Sequence, residues 1–214
     1  METKKKYIYI IVLLVAVIAI WALFIRKGGD DVKSNVGIDA TGDYTIEQVP
    51  LDGPLVPTAP EYKRKFVYPS YFNAEAKDIT NKAIASAIAK IEKNNLDITA
   101  WIELGNQYNL VKDYKGAEAC WLYAVALNSI NFVPLYNLGT LYLSDMRDYA
   151  LSEKYLKLAI IADPLQPTIY EMLYRLYRYG LKDDARAKAI LKQGVGAVKD
   201  KSALQSILDH YNEQ

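Results

Sequence analysis

Residues 98–131 read ITAWIELGNQYNLVKDYKGAEACWLYAVALNSIN, and the spacing of their apolar positions decides the fold. Trp101, Leu104, Gly105 and Tyr108 fall on one face of a helix with about 3.6 residues per turn. Ala117, Trp121 and Ala124 fall on one face of a second helix. Lys112-Asp113-Tyr114 makes the turn between them. Two apolar stripes joined by a short turn pack against each other, because each covers what the other would leave in water.

The pattern returns twice. Leu135, Leu138-Gly139 and Tyr142 take the first-helix positions of a second copy, Asp148-Tyr149 its turn, and Ser152, Leu156, Ala159 and Asp163-Pro164 its second helix and exit. A third copy has Tyr170, Leu173, Tyr174 and Tyr177, then Ala187, Leu191 and Gly194. Both later copies carry one inserted residue before the turn. In the third, Tyr174 occupies the place where glycine lets two helices approach closely. The large first-helix residues Trp101, Leu135 and Tyr170 stand 34 and 35 residues apart.

This spacing resembles the tetratricopeptide (TPR) signature. The first copy matches seven of its eight positions, with Ser129 in place of the terminal proline. The resemblance implies an all-α fold, a short right-handed α-solenoid of three TPR helix pairs over 98–131, 132–166 and 167–201. Flanking helices close the array. Residues 73–97, with Ile84, Ile88 and Ile91 at helical spacing, read as an N-terminal half-repeat. Residues 202–214, with Leu204, Ile207, Leu208 and Tyr211 on one stripe, read as a C-terminal capping helix, which an array needs to cover its last stacking surface.

Ahead of the array, residues 7–25 form an apolar run without a charge, between Lys4-Lys5-Lys6 and Arg26-Lys27. As a helix it is roughly 28 Å long, about the thickness of a hydrocarbon core. It reads as an N-terminal transmembrane helix, with Tyr7, Tyr9 and Trp21 towards the headgroup levels. A cleaved signal peptide is the competing reading; Trp21, Phe24 and Arg26-Lys27 stand where small residues would be needed for cleavage. Residues 1–6 are a short basic tail. The compact lysine triplet favours a cytoplasmic N-terminus and thus a single-pass cell-membrane protein with its TPR domain outside the cytoplasm; Arg26, Lys27 and Lys33 balance the triplet and leave a cytoplasmic TPR domain as the alternative. Signal-anchored envelope proteins of bacteria have the first arrangement.

Residues 26–72 lose apolar periodicity and gain Gly28-Gly29, Pro50, Pro54, Pro57, Pro60 and Pro69, a composition that excludes a helix and reads as an extended linker. Its end alternates Tyr62, Phe66, Tyr68, Tyr71 and Phe72 with Lys63-Arg64-Lys65. Those aromatics pack either on the first helices or in the groove of the same molecule. Three basic residues are too few for a nucleic-acid site.

The resemblance also implies a concave groove lined by the first helices of each pair. On the faces not used for packing it presents Asn106 and Asn109, then Tyr136, Asn137 and Thr140, then Arg175, Arg178 and Tyr179. Amides pair with both the N–H and the C=O of an extended peptide, and tyrosine offers contact area at low entropic cost. Asn106 and Asn137 match the two asparagine positions of the carboxylate clamp found in chaperone-binding TPR domains. Ile102, Thr168 and Met172 replace its basic residues, and Arg175 is the nearest substitute.

The rest of the composition excludes more than it suggests. A net charge of +1 with interspersed signs gives no polyanion-binding stripe. The single cysteine and single histidine, Cys120 and His210, build neither a disulfide nor a metal site. No glycine-rich phosphate loop and no nucleophile beside a base is visible. The expectation is therefore a membrane-anchored, non-enzymatic module without cofactor or metal, binding an extended segment of a partner protein as a scaffold or adaptor of an envelope, secretion or assembly complex. The alternative is a structural subunit, a homo-oligomer joined through the groove and the aromatic linker.

Overall fold

The computed structural model describes residues 32–38, 44–50 and 58–212; the apolar run at 7–25 lies outside the described residues. The chain divides into two units, Met1–Leu55 and Val56–Gln214. In the first, β1 (Val32–Ile38) and β2 (Tyr44–Pro50) pair antiparallel, from Val32 opposite Pro50 to Ile38 opposite Tyr44. Proline is placed at the end of its strand, where a missing N–H costs least. The Gly and Pro content that excludes a helix does not distinguish a paired strand from a bare linker, so this pairing is an addition to the sequence reading.

The second unit is all-α beyond residue 73. Its helices are α1 (Ala74–Lys93), α2 (Ile98–Leu110), α3 (Tyr114–Leu127), α4 (Phe132–Ser144), α5 (Tyr149–Ala162), α6 (Pro167–Arg175) with a π-helical extension (Leu176–Gly180), α7 (Asp184–Ala197) and α8 (Ser202–Asn212). Each helix packs on the next in sequence, most closely within the pairs α2/α3 and α4/α5. α1 covers α2, and α8 covers α7 and α6.

Six of the helices start where a short polar side chain satisfies free N–H groups. Asn73, Asp97, Asp113, Asn131, Asp148 and Asp183 accept from the backbone of Ala76, Ala100, Gly116, Val133, Leu151 and Arg186. Gln166 makes no such bond; Pro167 follows it at the first helical turn, where a proline has no N–H to leave unpaired.

The turn within each pair repeats in detail. Lys112, Arg147 and Lys182 have φ of 63°, 53° and 54°, and each precedes the capping aspartate. That aspartate donates its N–H to the signature tyrosine: Asp113 to Tyr108 at 2.9 Å, Asp148 to Tyr142 at 2.9 Å, Asp183 to Tyr177 at 2.7 Å. The inserted residue of the later copies is absorbed just ahead of this turn. Met146 reaches back to the Leu141 carbonyl at 3.0 Å, and Leu181 to Leu176 at 2.8 Å, both wide bonds of the π type.

Two apolar clusters form the core and meet across α4. The first is built on Trp101, Leu104, Tyr108, Trp121, Leu138 and Tyr142; the second on Leu135, Leu156, Tyr170, Leu173, Leu191 and Leu204. A Cβ at Gly105 would lie 2.5 Å from Trp121 Nε1, and one at Gly139 2.5 Å from Leu156 Cγ. In the third pair, where Tyr174 replaces that glycine, the close approach moves to Gly194, whose Cβ would meet Tyr170 Cγ and Leu204 Cδ1 at 2.7 Å.

Residues 58–72 are not free of the helices. Tyr62, Arg64, Phe66 and Tyr68 are half-buried while Glu61, Lys63, Lys65 and Val67 are exposed, the alternation of an extended chain laid on a surface. Tyr62 meets Trp101 edge-on at 5.5 Å and Phe66 meets Tyr108 at 6.1 Å. Of the two placements left open for these aromatics, the structure has them on the first helices.

Candidate peptide-binding groove

The amides of the expected groove are brought together. Asn137 Nδ2 on α4 donates to Asn106 Oδ1 on α2 at 3.0 Å, so the two clamp-like asparagines bridge neighbouring first helices. Asn106 is exposed and Asn137 half-exposed. Asn109, one turn further along α2, has a buried Oδ1 without a hydrogen-bond partner. Thr140 Oγ1 donates to the Tyr136 carbonyl of its own helix at 3.0 Å, and Tyr136 packs on the second core cluster.

The third repeat divides its residues between two clefts. Arg175, exposed, and Tyr179, 66% exposed, line a cleft of about 320 Å³ with Leu143, Ser144, Tyr149 and Gly180. Tyr179 also borders a second cleft of about 410 Å³, walled by Tyr174, Arg178, Ile207, His210 and Tyr211. Arg178 turns towards the C-terminal helices: it pairs with Asp184 at 2.5 Å and stacks over the Tyr211 ring at 5.1 Å. Arg178 and Tyr179 lie within the π-helical turn that follows Arg175, so Arg175 and Arg178 line different clefts and Tyr179 borders both.

The signature tyrosines join successive pairs. Tyr142 on α4 donates its hydroxyl to Glu118 on α3, and Tyr177 donates to Glu153 on α5 at 3.0 Å. Burial and these carboxylates raise both phenols well above their ordinary value of 10. Burial pushes the Glu153 carboxyl up, but Lys157 at 2.9 Å, the Tyr177 hydroxyl and Arg186 at 3.2 Å outweigh it and hold the group below its ordinary 4.5. On the first pair Tyr108 has no such glutamate on α1, where Ala83 holds the place 35 residues before Glu118. Its hydroxyl instead donates to the Tyr62 carbonyl and accepts from the Arg64 N–H at 3.3 Å. Arg64 then reaches the capping Asp113 at 2.6 and 3.2 Å.

That contact was not read from the sequence. Its signal in the sequence was partial: Tyr62, Phe66 and Tyr68 fall on one side of an extended chain, but Arg64 shares that side while Val67 falls on the other, so the pattern names no surface. No group of three His, Cys, Asp or Glu side chains that could hold a metal occurs among the described residues. Cys120 is buried, and burial pushes its thiol up to about 12, which leaves almost no reactive thiolate. No helix among the described residues is long and apolar enough to cross a membrane.

No protein-family model and no curated protein matches the chain in sequence. Solved structures match it in fold. It is similar to a crystal structure of the MamA protein, with a TM-score of 0.51 and 21% identity over 61% of this chain and 69% of that one. A MamA RS-1 ArsTM double mutant gives 0.51 and 16% over 64% and 81%, and another crystal structure of MamA gives 0.51 and 14% over 67% and 91%. The fold is thus a TPR-like helical repeat, and at these identities the likeness concerns the fold alone.

Proposed function

We propose that the chain is a membrane-anchored scaffold or adaptor that holds an extended segment of a partner protein along its first helices, as part of an envelope, secretion or assembly complex. A helical repeat of this kind suits protein–protein interaction, and the observation that carries the reading is the face of α2, α4 and α6 that the core does not use. It presents the Asn106–Asn137 pair, Thr140, and at its far end the Arg175–Tyr179 cleft. These groups bind main-chain amides and carbonyls, aromatic or aliphatic side chains, and one negative charge. A non-enzymatic role without a cofactor is part of the same proposal.

The anchor is residues 7–25, with the N-terminus cytoplasmic and the repeats outside the cytoplasm; the length of the apolar run and Lys4-Lys5-Lys6 support it. Self-association through the groove and the aromatic segment is the second reading. Docking of residues 58–72 on their own helices occupies that segment and favours the first.

Photo-crosslinking in membranes from position 137 tests the groove, with exposed Ala126 on α3 as control. One discrete partner captured from 137 and not from 126 is expected; identical labelling from both sinks the groove. Protease added to spheroplasts tests the orientation: repeats that resist digestion until the membrane is opened reverse it.

A further inference from the structure

The loops leading from each second helix into the next first helix share one conformation. Leu96, Ile130 and Leu165 donate their N–H groups to Asn94, Asn128 and Asp163 side-chain oxygens, two residues earlier, at 3.1, 3.1 and 3.0 Å. The loop after α7 differs: its C-cap is Val198, with φ -86° and ψ 151°, and it carries exposed Lys199, Asp200 and Lys201. Equivalent positions of a repeat array form a row along one edge. Three large aliphatic side chains therefore line that edge, 47%, 76% and 52% exposed, and the row stops at Leu165.

The side-chain-capped turns hold these tips outward, away from either core cluster. Exposed polar residues, Asn95 and Ser129, stand beside them, so these three loops offer no continuous apolar face for a folded partner. Isolated aliphatic tips suit a fluid apolar phase that closes around each of them, as the boundary between lipid headgroups and acyl chains does. At the turns within the pairs, the corresponding tips are exposed Lys112, Arg147 and Lys182, ions that the acyl region would reject.

We infer that the edge carrying Leu96, Ile130 and Leu165 lies against the lipid bilayer with these side chains at the headgroup–acyl boundary. The inference rests on the anchor reading of residues 7–25, through which the helical unit stays tied to the membrane.

The full chain, reconstituted in vesicles of phosphatidylcholine and phosphatidylglycerol, tests it. A single environment-sensitive fluorophore is placed at Ile130→Cys or Leu165→Cys on this edge, or at Arg147→Cys on the other; buried Cys120 stays unlabelled in the folded protein. With acyl-brominated phosphatidylcholine, labels at 130 and 165 are expected to lose about half of their emission while the label at 147 keeps it. If the chain floats with the vesicles but 130 and 165 are quenched no more than 147, the lipid-facing edge is overturned and the anchor stands. Labels at 130 and 165 that crosslink to a second copy and escape the brominated lipid assign the edge to self-association, which also overturns it. A chain that does not float overturns the anchor and this inference together.

Discussion

Lys112, Arg147 and Lys182 each hold a left-handed backbone that costs a side-chain-bearing residue about 1 kcal/mol or more. Glycine removes that cost but adds entropy to the unfolded chain. Lys182 is exposed, and Lys182→Gly is expected to stabilise the third pair by up to about 1 kcal/mol, read as a raised urea midpoint. Gly105 is the opposite case. A methyl group there would press on Trp121, a buried ring that cannot retreat, and Gly105→Ala should cost about 1–3 kcal/mol. Thermal melting of that variant checks the value; a wild-type midpoint would mean that α2 and α3 can separate freely.

At the level of elements, the strap over 58–72 replaces what a preceding first helix would give to α1 and α2. Arg64 holds it through Asp113 and sits beside the Tyr108 hydroxyl. Arg64→Ala should release the strap before any helix unfolds, because each helix keeps its own caps. Limited trypsin digestion reads this at Lys63 and Lys65, which are exposed but docked; cleavage there should quicken several-fold while the helical circular dichroism stays unchanged. The joint between the second and third pairs depends on Glu153 instead. Its folded pKa lies below the ordinary value, so the stability it contributes is complete above about pH 4.5 and is lost as the pH falls through the folded pKa. Between about pH 6 and about pH 3, the urea midpoint of Glu153→Gln should fall less than that of the wild type.

Across the whole molecule, the helical repeat was legible because its cause is local. Trp101, Leu104, Gly105 and Tyr108 share a face by helical geometry alone, and the same residues form the buried core. The groove was legible in part. Asn106 and Asn137 could be placed on neighbouring first helices by counting from Gly105 and Gly139, and they do meet. The cleft that Arg178 lines was not legible, because that residue lies inside the π turn Leu176–Gly180, and one inserted residue does not announce where the helix will widen.

What the sequence determined by itself is the period, the three helix pairs, their turns and their flanking helices, since side-chain spacing, caps and short loops act over a few residues. Tertiary structure alone decided where long-range partners lie. It placed residues 58–72 on α1 and α2, gave Tyr108 a strap where Tyr142 and Tyr177 have glutamates, and moved the third pair's close contact to Gly194. Those outcomes depend on which surfaces remain uncovered once the helices have stacked, a quantity that no single stretch of chain contains.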